Sequence, residues 1–426
     1  MKEAFLHYIW QYKLFSFTDL KTEQGESLQI IRSGEYTQQS GPDFFNSLIV
    51  LGNQKWAGNI EIHTKSSDWY LHHHERDKNY DNVILHVVWE YDVPVMRSNQ
   101  TEIPVLLLSK YVDCEILKRY RLLDQPKKWI YCEDFIGTMD VFKRNKWLET
   151  LFFERMQHKV NPIKQLLIQH NSDWESVFFC QIAQGFGLNI NGATFLNMAK
   201  SLPIQLVNKE RLSVSNLEAL FFGKTNILRA DFQEYYGKNL WDTWLFLSHK
   251  YQLDNLDALQ VSYFKLHPDN FPSIRLSQLA NLIHQHSSLF DAILQATTKA
   301  DYYKILDIST SEYWRTHYIM DKISPSKNKR TTQTFIDLII INTVIPLKYA
   351  YYQSKGMDYS DALLDLVSSL KPEKNSIIDY FSVLGVAVNS SFDTQSLLHL
   401  KKHYCDAKKC LSCGIGRAYL YKDKIK

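Results

Sequence analysis

The chain has 426 residues, of which 45% are hydrophobic and 22% are charged, and its formal net charge is +3. One hydrophobic core rarely organises more than roughly 250–300 residues, so this length predicts two or more domains. The small net charge does not mark the whole protein as a nucleic-acid binder, although it does not exclude a local basic surface.

The sequence shows none of the patterns expected of an export signal or a membrane span. The opening segment MKEAFLHYIWQYKLF is interrupted by charges and lacks a small-residue cleavage site, so no signal peptide is expected. The most apolar run, FIDLIIINTVIP, is too short to span a membrane and carries Asp337 and Asn342, which favours a buried helix and no membrane association. Six cysteines is a low number, and we expect the reducing cytoplasm and no disulfides.

The first third of the chain predicts β structure with a few helices. Apolar spacing predicts a helix over residues 3–15, and Ser67-Asp68 resembles a helix N-cap ahead of WYLHHHERDKNY. Alternating or β-branched runs bounded by turn residues predict strands over residues 27–33, 44–51, 56–64, 82–91 and 103–109. The predicted order is therefore helix, three strands, helix and strand, followed by further elements.

Long helical segments dominate from about residue 140 to about residue 400, as in KWLETLFFERMQHKVNPIKQLLIQ. The fold class is therefore α+β, with a mixed sheet and flanking helices followed by a mainly α-helical domain. We predict an α/β domain over residues 1–135, a helical domain over residues 136–402 and a basic, cysteine-containing tail over residues 403–426. The helical region carries no recognisable catalytic motif.

A group of acidic and imidazole side chains stands out in the first domain. Side chains alternate along a strand, so Glu61 and His63 share one face while Ile60 and Ile62 share the other. Asp43 lies just before the preceding strand, and a hairpin would bring it close to Glu61 and His63. Two carboxylates and an imidazole suit Mg²⁺ or Mn²⁺, which would lower the pKa of a bound water.

The same spacing resembles the PD-(D/E)XK nuclease superfamily, in which Pro-Asp is followed one hairpin later by acid-x-Lys on a strand. Pro42 and Asp43 match the first part, and Glu61-Ile62-His63 matches the second, with His63 in the place of the lysine. The resemblance implies a restriction-endonuclease-like fold, metal binding by Asp43 and Glu61, and DNA or RNA as substrate. Histidine could serve as a base near neutral pH.

The missing lysine leaves a second interpretation open. The same fold with an inactive site would be a binding module for nucleic acid or for a protein partner. The superfamily often has a further acid on its first helix, and Glu3 is the one candidate here.

A longer resemblance covers most of the chain. The strings SGPDF, GNIEIHTKSSDWYLHHHERDKNYDNVILHVVWEYD, HPDNFPSIRLSQLA and CDAKKCLSCGIG are similar to an uncharacterised bacterial family, domain of unknown function 2851. The resemblance fixes no activity. It implies that one set of polar side chains belongs together: His63, Asp68, His72, His74, Asp77, Tyr80 and His86.

These side chains also have simpler interpretations. On a helix, His73 and Asp77 would form an i, i+4 pair. His86 shares a strand face with Ile84 and Val88, so it is either a satisfied core residue or a support for the site, together with His72, His74 and Asp77. His72 and His74 could bind zinc instead, if their segment is extended rather than helical.

The C-terminal segment HYCDAKKCLSCGIG offers another metal site. His403, Cys405, Cys410 and Cys413 are of the types that close a tetrahedral zinc site. An iron–sulfur cluster would accept three cysteines with a fourth ligand from elsewhere. The simplest alternative is that these cysteines are small buried hydrophobic residues that fix the last helix.

Overall fold

The computed structural model of the protein describes residues 2–37, 41–122, 128–253 and 260–421. The fold is mixed α/β, with a curled mixed sheet in the N-terminal part and a mostly helical C-terminal part. The chain forms two compact units, one made of Met1–Arg144 with Lys401–Lys426 and the other of Asn145–Leu400. The segment that the sequence indicated as a separate tail is thus part of the first unit, and residues after 421 lie outside the described residues.

The first unit contains a six-stranded sheet in which the pairing of neighbouring strands changes from antiparallel to parallel. Strands β1, β3 and β4 are antiparallel neighbours, β4, β5 and β6 are parallel, and β2 pairs with β3. The pairing therefore changes from antiparallel to parallel at β4, which carries Glu61 and His63. The strands are β1 (Leu28–Arg32), β2 (Glu35–Tyr36), β3 (Phe44–Leu51), β4 (Gln54–Lys65), β5 (Val83–Glu90) and β6 (Val105–Leu107).

The predicted strands are confirmed, with small shifts at their ends. Residues 44–51 coincide with β3, and the predictions for β1, β4 and β5 differ by one or two residues at each end. The prediction for β6 is too long, and the two-residue strand β2 was not predicted. The helices of this unit are α1 (Glu3–Gln11), α2 (Asp68–Leu71), α3 (Cys114–Leu122), α4 (Glu133–Ile136) and α19 (Gly414–Leu420).

Apolar residues cover both faces of β4. On one face, Ile60 and Ile62 are fully buried in a cluster that includes Phe5 and Ile9 of α1. On the other side, a smaller cluster contains Trp69, Tyr80, Val83, Val95 and Ile103. A strand enclosed in this way places its polar side chains inside the protein, so Glu61 and His63 are held in fixed positions.

The second unit is helical, as predicted. It also contains a small antiparallel pair, β7 (His317–Ile319) and β8 (Lys322–Ile323). Its helices, the first of which starts before the unit boundary, are α5 (Val141–Gln169), α6 (Trp174–Phe186), α7 (Leu188–Lys200), α8 (Ile204–Glu210), α9 (Val214–Lys224), α10 (Tyr235–Lys250), α11 (Pro272–Gln285), α12 (Leu289–Gln295), α13 (Lys299–Leu306), α14 (Gln333–Ile339), α15 (Ile345–Ser354), α16 (Ser360–Ser369), α17 (Ser376–Val383) and α18 (Ser391–Leu400).

One helical run among the described residues is long and apolar enough to cross a membrane, judged by length and composition. It comprises Gln333–Ser354, and 67% of its most apolar window is buried inside the protein. The segment FIDLIIINTVIP lies in this run, and the prediction that it forms a buried helix is confirmed.

Candidate metal centre

Strand pairing places three polar side chains on one face of the sheet. Glu61 and His63 are 5% and 1% exposed, and Glu61 lies opposite His86 in the parallel register of β4 and β5. His63 Nε2 is 3.4 Å from Glu61 Oε1, and His63 Nδ1 is 2.8 Å from His86 Nε2. Glu61 and His63 therefore share one face of the sheet, as strand alternation predicted. His86 contacts His63 from the neighbouring strand β5.

The segment after β4 has a break that the sequence did not predict. Helix α2 ends at Leu71, His73 is left-handed with φ of 60°, and 3₁₀ turns follow at His74–Arg76 and Lys78–Tyr80. The prediction of one helix over WYLHHHERDKNY is wrong. In a continuous helix, residues two positions apart point about 200° apart, whereas this break lets His72 and His74 approach the same point.

His63, His72 and His74 form a histidine triad. One ring nitrogen from each lies within 4.8 Å of the others, and His63 Nε2 is 3.1 Å from His72 Nδ1. His74 Nε2 is also 3.4 Å from Glu61 Oε1. His63 is buried and the His74 side chain is 11% exposed, but His72 lies at the surface. Three imidazoles and a carboxylate thus converge at a point that solvent can reach.

Glu3, His7 and Asp43 form an acidic triad next to it. One ligand atom from each lies within 4.8 Å of the others, and His7 Nε2 is 3.1 Å from Asp43 Oδ2. Glu3 Oε1 is 3.9 Å from His63 Nε2, so Glu3 borders both triads. The sequence identified Glu3 as the one candidate for a further acid on the first helix, but it did not identify His7. Their i, i+4 spacing on α1 places them on one helix face and was the available signal.

Asp43 and Glu61 are joined through the backbone of the hairpin. The Asp43 amide donates to Glu61 Oε2 at 3.1 Å, and Asp43 Oδ2 accepts from the Ile62 amide at 3.0 Å. The antiparallel pairing of β3 and β4 brings them together. Each carboxylate therefore has one fixed oxygen, and Glu61 directs its other oxygen at the histidine triad.

Burial sets the protonation of these groups. Burial and the nearby Asp43 charge raise the pKa of Glu61 to about 9. Burial, followed by the neighbouring His86, lowers the pKa of His63, and burial lowers that of His86 to about 3. Burial opposes protonation of His7, but the Asp43 ion pair and the Glu3 charge outweigh it and raise the pKa of His7. A divalent cation would stabilise the buried carboxylate, and neutral imidazoles are the form that binds metals.

Other residues of the predicted set lie outside the two triads. Asp77 is exposed, and its Oδ1 accepts from the Asn79 amide at the start of a 3₁₀ turn. Asp68 Oδ2 accepts from the Lys65 amide. Tyr80 stacks on His74 with ring centroids 3.7 Å apart. Asp77 and Asp68 thus fix the chain around the site, and Tyr80 supports one imidazole.

The predicted cysteine cluster is also in the first unit. His403 and Cys405 lie in the π-helical turn Lys401–Cys405, Cys410 begins a 3₁₀ turn, and Cys413 directly precedes α19. A fourth cysteine, Cys132, acts electrostatically on this group. Sequence reasoning missed it because no local pattern surrounds it.

The contact between His86 and His63 has a testable consequence. A metal on His63 Nε2 requires the proton on Nδ1, from where it donates to His86 Nε2. We expect His86→Leu to weaken Mn²⁺ affinity about 10–100-fold, the usual effect of removing such a partner. His86→Gln keeps an acceptor and is expected to lose less. Calorimetric titration measures both, and equal affinity in wild type and His86→Leu would contradict this orienting role.

Comparison with known proteins gives a family assignment. Searches of the curated proteins and of the solved structures found no match. The family described as Protein of unknown function (DUF2851) matches residues 3–376, nearly the whole chain, and the chain therefore belongs to this family.

Proposed function

We propose that this protein is a metal-dependent hydrolase that cleaves phosphodiester bonds in DNA or RNA. The observation that carries the proposal is the convergence of the histidine triad and Glu61 beside the acidic triad. An ion that prefers octahedral coordination, such as Mn²⁺, would keep open positions beside the three imidazoles and Glu61. The exposure of His72 supports such an open side.

The donor types indicate which ions each triad would hold. Three imidazoles with Glu61 favour a transition-metal ion such as Mn²⁺ or Zn²⁺ over Mg²⁺. The two carboxylates and one imidazole of the acidic triad suit Mn²⁺ or Mg²⁺. Asp43 would therefore be a ligand in the acidic triad and Glu61 a ligand beside the histidine triad, and the contact of the Asp43 amide with Glu61 links them.

Two neighbouring cation sites favour phosphodiester chemistry. A pair of ions would stabilise the attacking and the leaving oxygen of an in-line displacement and supply hydroxide near neutral pH. In this chain, His86 would orient the His63 ring. Glu61 would fix the two triads relative to each other, because its Oε2 accepts from the Asp43 amide and its Oε1 lies beside His63. Glu3, with 40% of its side chain exposed, would face the entering substrate.

The resemblance to PD-(D/E)XK nucleases supports a nucleic-acid substrate, with one change of role. His63 stands where that superfamily has a lysine, but it is buried and its pKa is lowered by burial, with His86 the next cause. A neutral, enclosed imidazole suits a metal ligand better than a base that exchanges protons with water. We therefore assign His63 to metal binding.

The test is a cleavage assay with metal-stripped protein on single- and double-stranded DNA and RNA. We expect cleavage with Mn²⁺ and its loss, by at least about 100-fold, in Asp43→Asn, which removes charge from the acidic triad. Glu90→Gln, an exposed change on β5, is the matched control. Metal binding without cleavage of any of these substrates would contradict the proposed activity and favour a binding module for nucleic acid or protein.

A further inference from the structure

The helical unit contains a polar cavity of about 550 Å³. Its walls come from α5, α6 and α7, from the helical run Gln333–Ser354, and from the segment between α16 and α17. Among the described residues, two cations, one carboxylate and four side-chain amides line it, together with a few apolar residues. A cavity of this volume holds a metabolite-sized molecule, and its polar lining indicates a charged or hydrogen-bonding ligand.

The two cations of the cavity, Arg155 and Lys159, both belong to α5. Their i, i+4 spacing places them on one face of the helix, where two like charges destabilise each other. Arg155 donates from Nε to Gln395 Oε1 at 2.6 Å, and its two Nη groups donate to no side chain in the part of the chain that the structure describes. The guanidinium is therefore fixed at Nε, and its Nη groups remain for a ligand.

Lys159 is fixed by the π-helical turn Ile340–Val344. Its Nζ donates to Asn342 Oδ1 at 2.6 Å and lies 3.5 Å from the Ile341 carbonyl oxygen. An ammonium group has three donors, so this arrangement leaves at least one for a ligand. Short π-helical turns within α-helices are frequent at functional sites, and this one forms part of the cavity wall.

The carboxylate of the cavity, Glu373, is held by the same side chain that holds Arg155. Glu373 Oε1 accepts from Gln395 Nε2 at 2.7 Å, while Gln395 Oε1 accepts from Arg155. Burial raises the pKa of Glu373, which the charges of Arg155 and Lys159 oppose. Two cations thus face one carboxylate, so the cavity carries an excess of positive charge.

This excess charge also acts on Lys159. Burial and then the charge of Arg155 lower the pKa of Lys159 to about 7, although Glu373 opposes the change. An anion bound beside the two cations would reverse this shift, because a nearby opposite charge favours the charged ammonium. The cavity therefore favours an anionic ligand over a neutral or cationic one.

We propose that this cavity binds a small organic phosphate, with Arg155 and Lys159 on the phosphate group. The guanidinium fork matches phosphate geometry, and lysine binds phosphate as a point charge. A phosphate monoester carries about two negative charges near pH 7, which two cations balance. The site is separate from the proposed hydrolase site, because all the residues that line it belong to the helical unit.

The rest of the lining indicates a sugar-like body for the ligand. Side-chain amides such as Gln181, Gln184 and Asn189 offer both donors and acceptors, which suit hydroxyl groups. No Phe, Tyr or Trp side chain lines the cavity among the described residues, so it offers no such ring for stacking a nucleobase. A sugar phosphate therefore fits this lining better than a nucleotide does.

The test is calorimetric titration of full-length, metal-stripped protein in chelator, so that phosphate cannot bind through a metal ion. The probes are inorganic phosphate and glucose 6-phosphate, with glucose as the neutral match and glucuronate as the carboxylate match. We expect glucose 6-phosphate to bind most tightly, inorganic phosphate and glucuronate to bind more weakly, and glucose not to bind.

Variants locate the site within the helical unit. Arg155→Gln and Lys159→Gln keep a donor but remove one cation, and each should weaken glucose 6-phosphate binding about 10–100-fold. Lys164→Gln makes the same charge change at an exposed position of α5 and should bind as wild type does. Asn189→Trp places a large side chain at an exposed lining position and should also weaken binding.

A measurement on wild type keeps the proposal testable if the variants do not fold. Brief acylation with acetic anhydride, followed by peptide mass spectrometry, reports the accessibility of each lysine. Glucose 6-phosphate should protect Lys159 and leave Lys164 unchanged.

Three results would overturn the proposal. The first is absence of binding of both phosphates, and the second is equal affinity in wild type, Arg155→Gln and Lys159→Gln. The third is glucuronate, or a 5′-phosphorylated oligonucleotide, that binds more tightly than glucose 6-phosphate, which would assign the cavity to a carboxylate or to a nucleic-acid end.

Discussion

Glu61→Gln is expected to stabilise the metal-free protein and, at the same time, to abolish Mn²⁺ binding at the histidine triad. Glu61 is a buried carboxylate. Its burial, together with the nearby Asp43 charge, raises its pKa from 4.5 to about 9. The neutral amide keeps the shape of the side chain and an oxygen for the Asp43 amide. We expect the free energy of unfolding at pH 7 to rise by about 1–3 kcal/mol, less than the full shift would give, because the group is coupled to its neighbours.

The pH dependence of the free energy of unfolding tests independently whether ionised Glu61 destabilises the metal-free fold. The folded-state pKa of Glu61 lies above its unfolded value, so its contribution to stability is fully present below pH 4.5 and is lost as the pH rises towards about 9. Wild-type protein in chelator should therefore lose stability over this range, and Glu61→Gln should lose less. Mn²⁺ should raise the melting temperature of wild type by more than that of Glu61→Gln. A destabilised Glu61→Gln that still bound Mn²⁺ normally would contradict the account. Glu90→Gln, at the exposed end of β5, should behave as wild type.

His72→Gln and His73→Asn form a matched pair of neighbouring substitutions, of which we expect only the first to weaken Mn²⁺ affinity. Both histidines are exposed, but His72 Nδ1 is 3.1 Å from His63 Nε2, whereas His73 supplies only a left-handed backbone. Loss of a direct ligand should cost at least as much as loss of an orienting partner, so His72→Gln should weaken Mn²⁺ affinity by more than about 100-fold.

His73→Asn should leave the affinity unchanged, because asparagine tolerates the left-handed conformation well. His73→Val should weaken binding although it removes no ligand, since a β-branched residue is strained at positive φ and would shift His72 and His74. Calorimetric titration of the three variants with Mn²⁺ tests this pair. Similar losses in His72→Gln and His73→Asn would show that the histidine triad does not bind the ion.

Strand patterns predicted much of this site because they are local. Alternation along β4 placed Glu61 and His63 on one face, and the turn before β3 placed Asp43 near them. The β-branched run of β5 predicted a central strand with His86 on its apolar face. These inferences need only the period of a strand and one hairpin.

The remaining parts depend on long-range packing or on an unusual backbone. His73 is left-handed without being glycine, so the sequence gives no turn signal where α2 ends. His7 reaches Asp43 because α1 packs on the sheet, and Cys132 acts on Cys405 because two distant segments meet. Helical periodicity shows which face of α1 is apolar, but it does not show which strand that helix contacts.

The most direct test of the metal centre is anomalous X-ray scattering from crystals of the protein soaked in Mn²⁺. Mn²⁺ is a hard ion that prefers oxygen and nitrogen over thiolate, so the free cysteines should not compete for it. We expect a strong peak among His63, His72, His74 and Glu61, with a second peak at the acidic triad of Glu3, His7 and Asp43. Crystals that diffract well but show no peak among these side chains would contradict the account.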